Sequence, residues 1–310
     1  MKIIVSFSGG KDSLACLLWA VKQYGNKSIT AVFCDTGWEH EWTYKHIDEV
    51  TKRLDVSLVT LHSEGFMNLT KRKKRFASTK ARFCTEFLKT RPMIDYVLDE
   101  VKDHCIIIQG IRAEESAARS KMNSQCTFFR YYFEPYGTDK KGKPKFHTYR
   151  KKDIIAFKEQ YADDVLRPIF DWKAGETMEY IMAAGFSPNP LYFHDMSRVG
   201  CFPCVMCRHG EIKAIALKFP DYVLRLIDAE KSMNKPGERG STFFPPDYIP
   251  HRFCSRTLIK KDKKTGKDKI IGIATVEDVI KYVTRDNGQE SLFEEPKTDR
   301  RCMSFYGICE

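Results

Sequence analysis

The residues best equipped for chemistry come early. Residues 6–13 read SFSGGKDS, so two glycines, a lysine, an aspartate and three serines follow an apolar start directly. A glycine-rich turn between a buried strand and a helix aims backbone N–H groups inward, and the helix dipole adds partial positive charge, which suits a pyrophosphate. Gly9 and Gly10 let the backbone come close to such a ligand, Lys11 offers an ammonium group to phosphate oxygens, and Asp12 offers a carboxylate to Mg2+. Ser6, Ser8 and Ser13 add hydroxyls. The loop is not a Walker A sequence, because four residues do not separate its first glycine from the Gly-Lys pair, and it is not GxGxxG.

A second cluster is Cys201, Cys204 and Cys207, a C-x2-C-x2-C spacing that lets three thiolates converge on one centre and matches the start of a ferredoxin-type run. Cys302 and Cys309 stand seven apart in the C-terminal CMSFYGICE. A [4Fe-4S] cluster on Cys201, Cys204 and two of Cys207, Cys302 and Cys309 is the favoured expectation. Zn2+ in a closed four-ligand site is the alternative, with His194 and His209 beside the segment. Cys84 is a candidate substrate-side thiol, whereas Cys16, Cys34 and Cys105 fall on apolar faces and read as core.

These groups need a scaffold, and the patterning supplies one. KIIVSFS reads as a strand and DSLACLLWAVKQYG as a helix that stops at Gly25. SITAVFCD is a second strand, EWTYKHIDEVTKRL a helix, VSLVTLH a third strand, RPMIDYVLDEVK a helix starting after Thr90 with Pro92 in its first turn, and CIIIQG a fourth strand. The alternation predicts a doubly wound α/β protein with a parallel sheet. Polar sequence falls at the carboxyl ends of all four strands, where such sheets bind ligands. It includes Asp35 after the second strand, and Gly110 and Arg112 after the fourth. The nucleotide-binding part is expected over residues 1–175, with an aromatic and basic insertion at about 126–152 resembling a hairpin or loop. A smaller, mainly helical, cysteine-rich region follows over 176–310, with a helix at about 210–230 and a basic hairpin near 265.

The chain has 310 residues and a formal charge of +11, concentrated in KRKKRFASTKAR, KKGKPKFHTYRKK and KKDKKTGKDK. Together these runs favour a polyanionic partner such as nucleic acid. Interleaving Phe128, Phe129, Tyr131, Tyr132, Phe133 and Tyr136 with cations can stack bases, although packing on the sheet explains the same aromatics. No apolar run approaches the eighteen or so residues of a membrane span. The N-terminus reads as a strand rather than a secretory signal, and eleven cysteines suit a reducing cytoplasm as free thiols or metal ligands. Homo-oligomerisation is left open.

SGGKDS directly after a first strand resembles the PP-loop of N-type ATP pyrophosphatases. DTGWE, RFCTEFLKTRP, GIRAEESAAR, RPIFDW and NPLYFHDMSRVGCFPC then occur in the order seen in the phosphoadenosine phosphosulfate reductase family of that superfamily, over residues 1 to about 210. The resemblance implies an adenine nucleotide alpha-hydrolase-like fold and an adenine nucleotide ligand. It implies catalytic roles for Lys11, Asp12 and Arg112, and substrate contacts from Arg82, Lys89, Glu115, Ser116 and Arg119. True sulfonucleotide reductases of the family generally lack the Gly-Gly-Lys-Asp pattern and end in Glu-Cys-Gly. This chain keeps the pattern and ends differently, so the resemblance favours cleavage of ATP to AMP and pyrophosphate in support of sulfur transfer, with nucleic acid as one acceptor. The alternatives are a thiol-dependent phosphoadenylyl sulfate reductase using Cys309, and a nucleic-acid-binding module with a nucleotide sensor and structural zinc.

Overall fold

A computed structural model describes residues 1–78, 81–234, 241–262 and 266–285. Strand β1 (Lys2–Ser6) lies centrally in the main sheet. Ile3 and Val5 bury into one layer and Ile4 into the opposite one, the period-two division a strand covered on both faces requires. Helix α1 (Lys11–Tyr24) follows and ends at Gly25, whose φ of +78° suits glycine. The alternation continues through β2 (Ile29–Asp35), α2 (Glu41–Leu54), β3 (Ser57–His62) and α3 (Phe66–Lys73).

Next comes one helical run over 83–101, in which α4 (Phe83–Thr85) and α5 (Arg91–Tyr96) alternate with π turns. The helix expected to start after Thr90 therefore starts earlier. Pro92 is accommodated within the run because the wider π turn just before it already breaks the regular i to i−4 ladder. After β4 (Cys105–Ile108) the chain forms β5 (Gln125–Thr127), α6 (Arg130–Phe133) and the small hairpin β6 (Gly137–Thr138) and β7 (Pro144–Lys145). It then forms α7 (Lys151–Gln160), β8 (Asp163–Leu166) and α8 (Ala174–Ala183).

The main sheet has the order β3-β2-β1-β4-β8-β5, all parallel except β5, which pairs antiparallel with β8. The order reverses between β1 and β4, and the crevice beyond their carboxyl ends is the switch point where ligands bind in such folds. One layer is built by α1, α2 and α8. The other holds α5 and α7 with Phe128, Phe129 and Tyr132 of the aromatic insertion, so those three rings serve as core. Phe133 and Tyr136 stay exposed.

A third core lies over the ends of β2 and β3. Trp38, Phe66, Leu69 and Leu88 pack there with C-terminal residues from Leu191 to Val283. The expected single helix near 210–230 is two, α9 (His209–Lys218) and α10 (Pro220–Ser232), because Pro220 cannot continue the ladder and instead starts the second. The basic hairpin is β9 (Arg256–Lys261) paired with β10 (Asp268–Ile273), followed by α11 (Val276–Thr284). Among the described residues no helix is long and apolar enough to cross a membrane.

Candidate functional site

The loop after β1 and the loop after β4 are pressed together at the switch point. Gly9 has φ +79°, and a Cβ there would lie 3.0 Å from Ile47 Cγ1. A Cβ on Gly110 would lie 2.7 Å from the Asp12 carbonyl carbon and 2.8 Å from the Ser13 nitrogen, so only glycine lets the second loop touch the first turn of α1. Within the first loop, Ser13 Oγ donates to the Gly10 carbonyl at 2.9 Å, lies 3.2 Å from Ser8 Oγ, and accepts from Ser8 N at 3.3 Å. Ser6 Oγ is buried without a hydrogen-bond partner among the described residues.

Charge is concentrated at Asp12, which is wholly buried. Arg112 Nε donates to Asp12 Oδ1 at 2.8 Å, and Lys11 Nζ lies 3.5 Å from Oδ2. Arg112 is itself 4% exposed, and its NH1 donates to Glu114 at 2.8 Å. Burial opposes the Arg112 charge, but Asp12, Glu115 and Glu114 outweigh it and raise its pKa. Behind it Glu115 accepts from Arg112 N at 3.0 Å and from the Arg119 guanidinium, while Ser116 Oγ accepts from Arg119 N at 3.1 Å. Arg119 is thus a buried brace for this loop.

The structure therefore brings together Ser6, Ser8, Gly9, Gly10, Lys11, Asp12, Ser13, Gly110 and Arg112, with Glu115, Ser116 and Arg119 in support. Asp12, expected to meet Mg2+, lies between Arg112 at its Oδ1 and Lys11 near its Oδ2. Asp35 ends the neighbouring strand, where its Oδ1 accepts from Tyr44 Oη at 2.7 Å and Gly37 N at 2.8 Å. Burial first, then the bond to Asp35, raises the Tyr44 pKa and keeps it a donor. Lys89 is buried in the π turn after α4, its carbonyl accepting from Cys34 Sγ at 3.6 Å, and Arg82 immediately precedes α4.

Residues from the C-terminal half complete the site. Asn189 Nδ2 donates to the Gly9 carbonyl at 3.4 Å, and Tyr192 Oη accepts from Lys11 N at 3.0 Å. Neither had been given a role, although both lie in the block NPLYFHD; a contact spanning 181 residues leaves no local signature. Glu39, in the block DTGWE, was given no role either. It accepts from Thr36 Oγ1 at 2.7 Å and Trp38 N at 3.1 Å, and receives Cys201 Sγ at 3.9 Å.

The cysteine segment meets the expectation of a metal centre poorly. Among the described residues no group of three or more His, Cys, Asp or Glu side chains is placed to hold an ion. Cys201 pairs as a strand bridge with Glu39, Cys204 Sγ accepts from Met206 N at 3.4 Å, and Cys207 is buried. Burial, then Glu211 and Cys204, push the Cys207 thiol well up. Cys201 and Phe202 lie against Glu39 and Trp38, after which the chain turns and Cys207 N donates to the Cys204 carbonyl at 3.0 Å. Cys302 and Cys309, the other candidate ligands, lie outside the described residues. His209 Nε2 is 2.8 Å from the Tyr248 carbonyl and His194 packs on Trp42, so neither faces a thiol cluster. Cys16, Cys34 and Cys105 are buried, as expected of core.

A glycine turn and a buried carboxylate between Lys11 and Arg112, at the switch point of a parallel sheet, make an α/β site that suits the phosphates of a nucleotide. The chain belongs to the phosphoadenosine phosphosulfate reductase domain family, whose model matches residues 2–207. It is 30% identical to an uncharacterized 37.8 kDa protein of Escherichia phage 186 over 99% of this chain and 96% of that one. It is also 30% identical to an uncharacterized protein of Methanocaldococcus jannaschii over 70% of this chain and 39% of the relative. Among solved structures, phosphoadenylyl-sulfate reductase from Candida auris aligns over 65% of this chain and 80% of its own, at 12% identity and a TM-score of 0.39. FMN adenylyltransferase from Candida glabrata aligns over 64% and 55%, at 16% identity and 0.40.

Proposed function

We propose that the protein binds ATP as its magnesium complex, cleaves it between the α and β phosphates, and so activates an acceptor for sulfur transfer. An acceptor oxygen attacks the α phosphorus, the bond to the bridging oxygen breaks, and pyrophosphate leaves with the electron pair. A sulfur nucleophile then displaces AMP. The observation that supports this reading is the buried Lys11–Asp12–Arg112 array against the first turn of α1. A site that merely holds a nucleotide needs amides and one cation, whereas two cations fixed on a buried carboxylate are preorganised for charge that grows on a leaving group. Asp12 acts here as a positioning residue, and no step is assigned to a metal cluster. The charge of +11 supports a nucleic acid as the acceptor.

Anaerobic incubation with α-labelled ATP and an acceptor should give AMP and pyrophosphate. Lys11→Ala should lower the rate by roughly 100-fold or more, the scale of removing one preorganised charge partner. Sulfite released from phosphoadenylyl sulfate without ATP consumption would instead establish the reductase reading.

A further inference from the structure

Beside the nucleotide loop, at the sheet edge where β8 meets β5, lies a cavity of about 270 Å³. Its wall includes three cations, Lys121, Arg130 and Arg167, with the rings of Tyr131 and Tyr136, and no carboxylate. Arg167 is the most informative. It follows β8, is 4% exposed, and its guanidinium donates to Gln109 Oε1 at 3.2 Å and to the Asn123 carbonyl, both neutral. A buried guanidinium with only neutral partners among the described residues keeps an unbalanced charge there, which an anion entering the cavity would balance.

Arg130 is shared with Glu134, which lines an adjoining depression of about 590 Å³. Lys121 is exposed and has no carboxylate partner among the described residues. Tyr136 is 37% exposed at the mouth, backed by a stack on His147 with centroids 4.7 Å apart. The β6–β7 hairpin starts at the next residue and exposes Lys140, Lys141, Lys143 and Lys145. A closed anion pocket would serve a small ion. A pocket with a flat ring at its mouth, a second depression beyond and a row of lysines leading away suits a chain of phosphates and bases.

We propose that this cavity seats one nucleotide of a single-stranded nucleic acid, its phosphate on Arg167 and Lys121 and its base on Tyr136, with the strand continuing along the hairpin lysines. Gln109 forms the cavity wall and Gly110, next in the chain, touches Asp12, so one residue separates the two sites. The strand would therefore be held beside the nucleotide loop. This rests on reading the loop as an acceptor-activating site, but strand binding is measurable without ATP.

Fluorescence anisotropy with a labelled 12-nucleotide single strand, DNA and RNA in turn, tests it without nucleotide present. Tyr136→Ala should weaken binding about fivefold or more, the low end of one base stack. Lys121→Gln should weaken it several-fold and flatten the log-affinity against log-salt slope by about 0.7, one phosphate contact on a single strand. Both side chains reach the surface, so the fold should survive, which thermal unfolding checks. ATP affinity of both variants, measured without acceptor, should match the parent. The assignment is overturned if neither variant changes strand affinity, or if AMP competes as well as the strand at equal nucleotide concentration, which would mark a free-nucleotide pocket. Loss of ATP cleavage with strand binding intact would sink the activation reading alone.

Discussion

Gly110 and Arg112 bind the two loops by opposite means, one by having no side chain and the other by having a long charged one. In Gly110→Ala the new methyl would meet the backbone of Asp12 and Ser13, which cannot rotate away as a side chain can. The start of α1 must shift instead. The expected cost is about 1–3 kcal/mol of stability, the usual range for overpacking. ATP cleavage should fall on the order of 100-fold, since small misplacements of a preorganised site have that effect. Urea unfolding and turnover on one preparation would check both. Arg112→Gln takes the guanidinium away from the buried Asp12 carboxylate, so a loss of about 3–5 kcal/mol is expected. Pairing it with Asp12→Asn should recover part of that loss. Strict additivity in the double variant would show the pair to be uncoupled.

The element that closes the loop is the 3-10 turn Pro190–His194, started by Asn189, whose Oδ1 accepts from Leu191 N at 3.0 Å while its Nδ2 reaches Gly9. Through Tyr192 this turn satisfies the Lys11 amide, one of the N–H groups at the helix start that a phosphate oxygen would also seek. Tyr192→Phe removes the competitor. ATP affinity should rise a few-fold while stability drops about 1 kcal/mol for the lost hydrogen bond, as calorimetric titration and thermal unfolding would show; weaker ATP binding would mean that the hydroxyl helps hold the nucleotide. Such an element is hard to read from sequence, because its partners lie some 180 residues away. The first loop was legible because strand, glycines, lysine and helix are contiguous. β8 and β5 were not: DDVL and QCT are too short and polar to show a period. Strand order, and with it the meeting of Gly110 and Asp12, is a long-range property.

Across the whole molecule, the third core ties the C-terminal helices to the loops after β2 and β3, and a buried histidine at this joint, with a second on α2, makes stability sensitive to acid. His40 stacks on Tyr222 at 4.6 Å, meets the edges of Phe202 and Phe219, and spends its Nδ1 on Trp42 N at 3.0 Å. Burial lowers its pKa to about 4, with Glu41 opposing and Arg225, His194 and Lys45 assisting. His46, buried on α2, is likewise lowered to about 4 by burial. Both stay neutral when folded, whereas the unfolded chain takes up protons near pH 6.5. The unfolded state thus binds more protons in the window between, and stability must rise with pH there. The stabilisation is complete above about 6.5 and is lost as pH falls towards 4, by at most about 3 kcal/mol for each histidine. Urea midpoints should hold from pH 8 to 7 and then fall steadily to pH 4.5. His46→Met, which fills the site without titrating, should lessen that slope by up to one proton. A midpoint that stays level down to pH 4.5 would mean that water reaches both rings in the folded protein, and that the joint between the sheet and its C-terminal helices is looser than its packing implies.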